Sequence, residues 1–71
     1  MVKELATLDD FKNTISQNAL VVVDFTATWC GPCQRIGPEF AKLPDDDQFA
    51  GILFVKVDVD ANADAAQEAG I

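Results

Sequence analysis

The sequence predicts one α/β domain with elements in the order β-α-β-α-β-α and three strands in a single parallel sheet. Three observations lead there. Residues 20–25, Leu20-Val21-Val22-Val23-Asp24-Phe25, form a nearly continuous β-branched run between polar segments, the pattern of a strand buried on both faces. Residues 52–59 repeat that pattern and run into the alternation Val57-Asp58-Val59-Asp60. Around these runs lie stretches with apolar residues at helical spacing, and right-handed crossovers make strands connected in this way parallel.

Taken in order, residues 2–5 fit a short first strand. Thr7 offers an N-cap oxygen, and Asp9 and Asp10 fall in the first helical turn, where negative charge meets the positive end of the helix dipole. Leu8, Phe11 and Ile15 then line one apolar helix face, and Gln17-Asn18 ends it. After the cysteines, Ile36, Phe40 and Leu43 mark the buried face of a second helix. Pro38 lies inside it and removes one backbone donor, so a kink is expected; Pro44 closes it. Residues 61–69 read as a short alanine-rich helix, with Gly70 at the left-handed position after its end. Phe25, Phe40, Phe49 and Phe54 are assigned to the core. No linker, repeat or low-complexity tract divides residues 1–71, so they are read as one domain.

Composition narrows the function. The 71 residues are 49% hydrophobic, which fits a packed core, although so short a chain buries a modest share of its surface. A net charge of −7 argues against nucleic acid and against anionic membrane surfaces as partners. The longest apolar run, residues 19–23, is far too short to span a bilayer, and no secretory leader is recognisable. Asp45-Asp46-Asp47 lacks the alternating ligands and closing Glu of a calcium loop, so it reads as a solvated loop or helix start. Two cysteines without an export signal point to a reducing compartment, with the cytoplasm as the expected location.

Cys30-Gly31-Pro32-Cys33 carries the chemistry. The pair lies between a strand and a helix, where the dipole and free N–H groups favour thiolate, the species that attacks disulfides. The two-residue gap lets the second thiol attack a mixed disulfide formed by the first. Pro32 fixes φ in that turn and should bias the pair toward reductant. Zinc ligands use the same spacing, but a zinc site needs about four ligands. With no His and no further Cys, only a dimer sharing four cysteines could hold a metal or iron–sulfur centre. Asp24 is costly inside an apolar strand unless paired or neutral, and a strand end open to water is its alternative explanation. Lys56, on the neighbouring strand, is its expected charge partner. Trp29 beside the dithiol could be ordinary core; Asp58 and Asp60 are best explained as a solvated strand end, and Arg35 and Lys42 as helix-surface charges.

The runs Val21-Val22-Val23-Asp24-Phe25, Ala27-Thr28-Trp29-Cys30-Gly31-Pro32-Cys33, Pro38 and Val57-Asp58-Val59-Asp60 together closely resemble the thioredoxin family over essentially the whole chain. The resemblance implies a protein-disulfide reductant without a bound cofactor. It also implies Cys30 as nucleophile, Cys33 as resolving thiol and Asp24 as proton acceptor for Cys33. Trp29, with Gly31 and Pro32, would form the substrate surface. Protein disulfides would be the substrates, and a flavin-dependent thioredoxin reductase using NADPH would restore the dithiol.

The family normally continues beyond Gly70-Ile71 with a cis-proline facing the dithiol, two antiparallel strands and a final helix. On that comparison the sequence is expected to carry a truncated form of the fold, with residues 20–25 as an exposed apolar edge. Such an edge predicts a homodimer. It also raises an alternative of another class, a non-enzymatic, self-associating module with inert cysteines.

Overall fold

The computed structural model describes residues 2–71. Its elements follow the expected order: β1 (Lys3–Glu4), α1 (Leu8–Gln17), β2 (Val21–Thr26), α2 (Gly31–Lys42), β3 (Leu53–Asp58) and α3 (Ala63–Glu68). Two 3₁₀ turns, Leu43–Asp45 and Asp47–Phe49, link α2 to β3. Pro44 lies in the first of these, and the Asp46 carboxylate caps the second by accepting from the Gln48 N–H at 2.9 Å.

The sheet order is β1-β3-β2, all parallel, with Glu4 opposite Lys56 and Asp24 opposite Lys56 in the neighbouring pair. Strand alternation gives the two faces different tasks. Val55 and Val57 point to one face and, with Leu5, Phe11 and Ala65, form the main core beneath α1 and α3. Val21, Val23 and Phe25 pack against that core, and the rings of Phe11 and Phe25 lie 6.1 Å apart. On the other face Phe54 meets Phe40 of α2 edge-on at 5.7 Å, with Phe49 at 6.1 Å from Phe54. Phe40 and Phe54 are buried, whereas Phe25 and Phe49 are half-buried.

The caps follow the sequence closely. Thr7 Oγ1 accepts from the Asp10 N–H at 3.1 Å, and Asn18 Nδ2 closes α1 by donating to the Thr14 carbonyl at 2.8 Å. Gly70, at φ 83°, takes the left-handed conformation that ends α3, and the Ile71 N–H reaches back to the Ala66 carbonyl at 2.9 Å. α2 runs through Pro38 without interruption.

Several expectations need correction. Strand β2 is not buried on both faces: Val22 is 40% exposed, and Leu20, 60% exposed, lies outside the strand. The cause is its place in the sheet, since among the described residues β2 pairs only with β3. The apolar helix faces are narrower than their spacing suggests. Phe11 and Phe40 are buried, but Ile15 and Ile36 are exposed. α3 starts two residues later than read, because Asp58 Oδ1 accepts from the N–H groups of Asp60 and Ala61 and holds that segment as a turn. Asn62 then caps the helix.

Asn62 is the one buried polar residue among those described. Its Oδ1 accepts from the Ala65 N–H at 3.4 Å, and its Nδ2 donates to the Leu5 carbonyl at 3.1 Å. One side chain thus starts α3 and ties it to the end of β1. No helix among the described residues is long and apolar enough to cross a membrane.

Candidate redox site

Strand β2 ends at Thr26, and Ala27, Thr28, Trp29 and Cys30 form a tight turn closed by the Cys30 N–H on the Ala27 carbonyl at 3.2 Å. This turn delivers Cys30 to the N-cap of α2. Cys30 and Cys33 are joined as a disulfide, with their Cα atoms 5.3 Å apart. Cys30 Sγ also accepts from the Cys33 N–H at 3.3 Å. The sulfur therefore sits where the first turn of α2 offers unpaired donors and the positive end of the dipole, the setting that stabilises a thiolate once the bond is reduced.

Two sides of the dithiol differ. Cys33 faces a cleft of about 280 Å³ between α2 and the sheet, which Asp24, Lys56, Glu4 and Asp58 also line. Strand alternation explains this grouping: Glu4, Lys56 and Asp24 lie in register on the α2 face, the face opposite the main core. Asp24 is half-buried, between the two alternatives its sequence context left open. Lys56 is not its recorded ion-pair partner. The Lys56 ammonium lies 3.9 Å from Glu4, with both side chains about half exposed, so the pair contributes at most about 1 kcal/mol. Lys56 has a carboxylate on each neighbouring strand, and the sequence alone could not say which it would meet.

The other side is open. Trp29 is 73% exposed, so it is not core, and Pro32 is exposed beside it. Trp29 Nε1 donates to Asp60 Oδ2 at 2.7 Å, which corrects the reading of Asp60 as a merely solvated residue. Asp58 supports this contact through the turn that presents Asp60. At Gly31 a Cβ would meet no atom within 4 Å, and its φ is not positive, so neither space nor backbone demands glycine there. Arg35 and Lys42 are exposed on α2, as expected.

Sequence reasoning missed Gln34. Its Nε2 donates to the Ala27 carbonyl at 2.7 Å, the same oxygen that receives the Cys30 N–H. The only available signal was its position directly after Cys33, four residues past the N-cap.

A disulfide across a two-residue gap at the start of a helix, set on a parallel α/β sheet, defines a dithiol protein of the thiol–disulfide exchange class. The family model described as Thioredoxin matches residues 2–71, and the chain belongs to that family. It is 45% identical over 71 residues to thioredoxin-1 of Schizosaccharomyces pombe, covering 100% of this chain and 67% of the relative. Thioredoxin of Malassezia sympodialis is 46% identical over 70 residues, covering 99% and 67%. Among solved structures, Plasmodium falciparum thioredoxin superposes with a TM-score of 0.91 at 40% identity, covering 99% of this chain and 67% of that one. Oxidised mitochondrial thioredoxin 3 of Saccharomyces cerevisiae gives 0.87 at 41%, covering 99% and 64%. The chain thus has a thioredoxin-like fold and the thiol–disulfide oxidoreductase chemistry that its cysteine pair serves in this family.

Proposed function

We propose that the protein reduces disulfides in other proteins, with Cys30 as the attacking thiol, Cys33 as the resolving thiol and Asp24 as the proton acceptor. The observation that carries this reading is the asymmetry of the pair. Cys30 Sγ accepts from a helix N–H, and Cys33, not Cys30, lines the cleft that Asp24 also lines.

The exchange then runs in two steps. The Cys30 thiolate attacks one sulfur of the substrate disulfide, forming a Cys30–substrate bond, and the departing substrate thiolate takes up a proton. Cys33 gives its proton to Asp24 and attacks Cys30 Sγ. The Cys30–Cys33 bond forms, the second substrate thiolate leaves, and two electrons have passed from dithiol to substrate. Lys56 supports the step by keeping a positive charge on the cleft as charge shifts between Cys33 and Asp24.

Trp29, Gly31 and Pro32 form the substrate surface in this reading. The indole is held by its bond to Asp60, and Pro32 is exposed beside it. A flavin-dependent thioredoxin reductase drawing on NADPH restores the dithiol, and a reducing compartment such as the cytoplasm suits that cycle. No observation favours the non-enzymatic alternative.

The test follows the second step. With a slow-leaving peptide disulfide, Asp24→Asn is expected to lengthen the life of the Cys30–peptide adduct roughly 100-fold, within the range of general-base contributions, while the first attack keeps its rate. Equal resolution rates in the two proteins would remove Asp24 from the mechanism.

The same reading includes a homodimer through β2. Its support is that, among the described residues, the outer edge of β2 pairs with no strand, beside exposed Leu20 and Val22. Light scattering at micromolar concentration with reductant is expected to give twice the 7.7 kDa chain mass. A monomer under those conditions would dismiss the dimer and leave the dithiol chemistry as it stands.

A further inference from the structure

We propose that Gln34 is a positioning residue for the dithiol, acting through the Ala27 carbonyl on the backbone of Cys30. The inference rests on the reading of Cys30 as the attacking thiol. Ala27 is 2% exposed, so its carbonyl depends on protein donors. It has two: the Cys30 N–H at 3.2 Å and Gln34 Nε2 at 2.7 Å, which fill its two lone pairs. The first bond is long and local. The second is short and partly buried, and it comes from the first turn of α2.

This geometry ties the turn to the helix it feeds. Gln34 pulls the Ala27 end of the turn toward α2, and the Cys30 N–H is anchored to the same oxygen. Cys30 is thereby held where its sulfur reaches the Cys33 N–H. Without the amide, the turn retains only its own closing bond, Cys30 can move off the helix start, and its thiolate loses part of its stabilisation. The Trp29–Asp60 bond holds the outer side of the turn and cannot replace this function, because it fixes the indole and not the Cys30 backbone.

The test uses Gln34→Met, which keeps side-chain length and charge but removes the donor. The readout is the pH dependence of iodoacetamide alkylation of the reduced protein, with the labelled cysteine located by peptide mapping. In the unsubstituted protein the label is expected on Cys30. A label on Cys33 would overturn the parent reading and with it this one. In Gln34→Met the midpoint is expected to rise by about half a pH unit, so that alkylation at pH values well below the midpoint slows about threefold. A purely structural amide would lower the melting temperature and leave the midpoint in place, and that result would overturn the proposal. Should the variant fail to fold, the unsubstituted protein decides. One Gln34 side-chain N–H proton is expected to exchange with solvent at least about tenfold more slowly than a free amide, as a partly buried hydrogen bond requires. Exchange at the free-amide rate would show that the bond to Ala27 is not held.

Discussion

Cys30→Ser is expected to abolish catalysed reduction of insulin by dithiothreitol, a loss of at least about two orders of magnitude, as removal of a covalent nucleophile gives elsewhere. A serine hydroxyl at the N-cap of α2 would still accept the Cys33 N–H, so the helix start survives while the chemistry does not. This separates function from folding in one substitution. Cys33→Ser is expected to lose turnover almost as completely, for a different reason. Its Cys30 still attacks, but nothing inside the protein releases the product, so turnover falls to the slow rate at which dithiothreitol cleaves the adduct. A Cys33→Ser protein that turned over normally would mean that an external thiol, and not Cys33, resolves the adduct.

Asn62→Ala carries the largest expected loss of stability. The substitution removes the N-cap of α3, about 1 kcal/mol, and leaves the Leu5 carbonyl without its partner in a buried setting, about 1–3 kcal/mol more. Together these make about 2–4 kcal/mol. In a domain of this size that lowers the melting temperature by roughly 10–30 °C. Asn62→Ser restores the cap without reaching Leu5, and is expected to recover about 1 kcal/mol of the loss. Thermal unfolding of the three proteins measures both contributions. A melting temperature unchanged in Asn62→Ala would show that water replaces both bonds at no cost.

Asn62 also shows where the sequence stops being legible. Its neighbours Ala61 and Ala63 carry a plain helical signal, so the segment reads as helix from residue 61 onward. The actual start depends on Asp58 reaching forward to two backbone N–H groups and on Leu5, 57 residues away, offering its carbonyl. Contacts that span the chain leave no local pattern. Local features, by contrast, were readable: Thr7 as a cap, Gly70 at its left-handed position, and the β-branched runs that became β2 and β3.

The site divides in the same way. Spacing and position disclosed the dithiol, because two cysteines with a two-residue gap before a helix have few other uses. Asp24 and Lys56 stood out as charges within apolar strands, and both line the cleft that Cys33 also lines. The choice of Glu4 as the Lys56 partner was not visible, since a carboxylate stands opposite Lys56 on each neighbouring strand. Trp29–Asp60 and Gln34–Ala27 were equally hidden. Neither residue type nor spacing announces a hydrogen bond whose partner is fixed by the path of a turn. The exposure of Ile36 was missed because periodicity records which residues share a face, not whether anything covers it.

The central claim is that one thiol of the pair attacks and the other resolves. Intact mass and peptide mapping of Cys33→Ser after exposure to a peptide disulfide test it most directly. The expected result is one added half-peptide per chain, linked to Cys30 and released by dithiothreitol. A chain that gains no mass under conditions where the unsubstituted dithiol is oxidised would contradict the assignment of Cys30 as the attacking thiol.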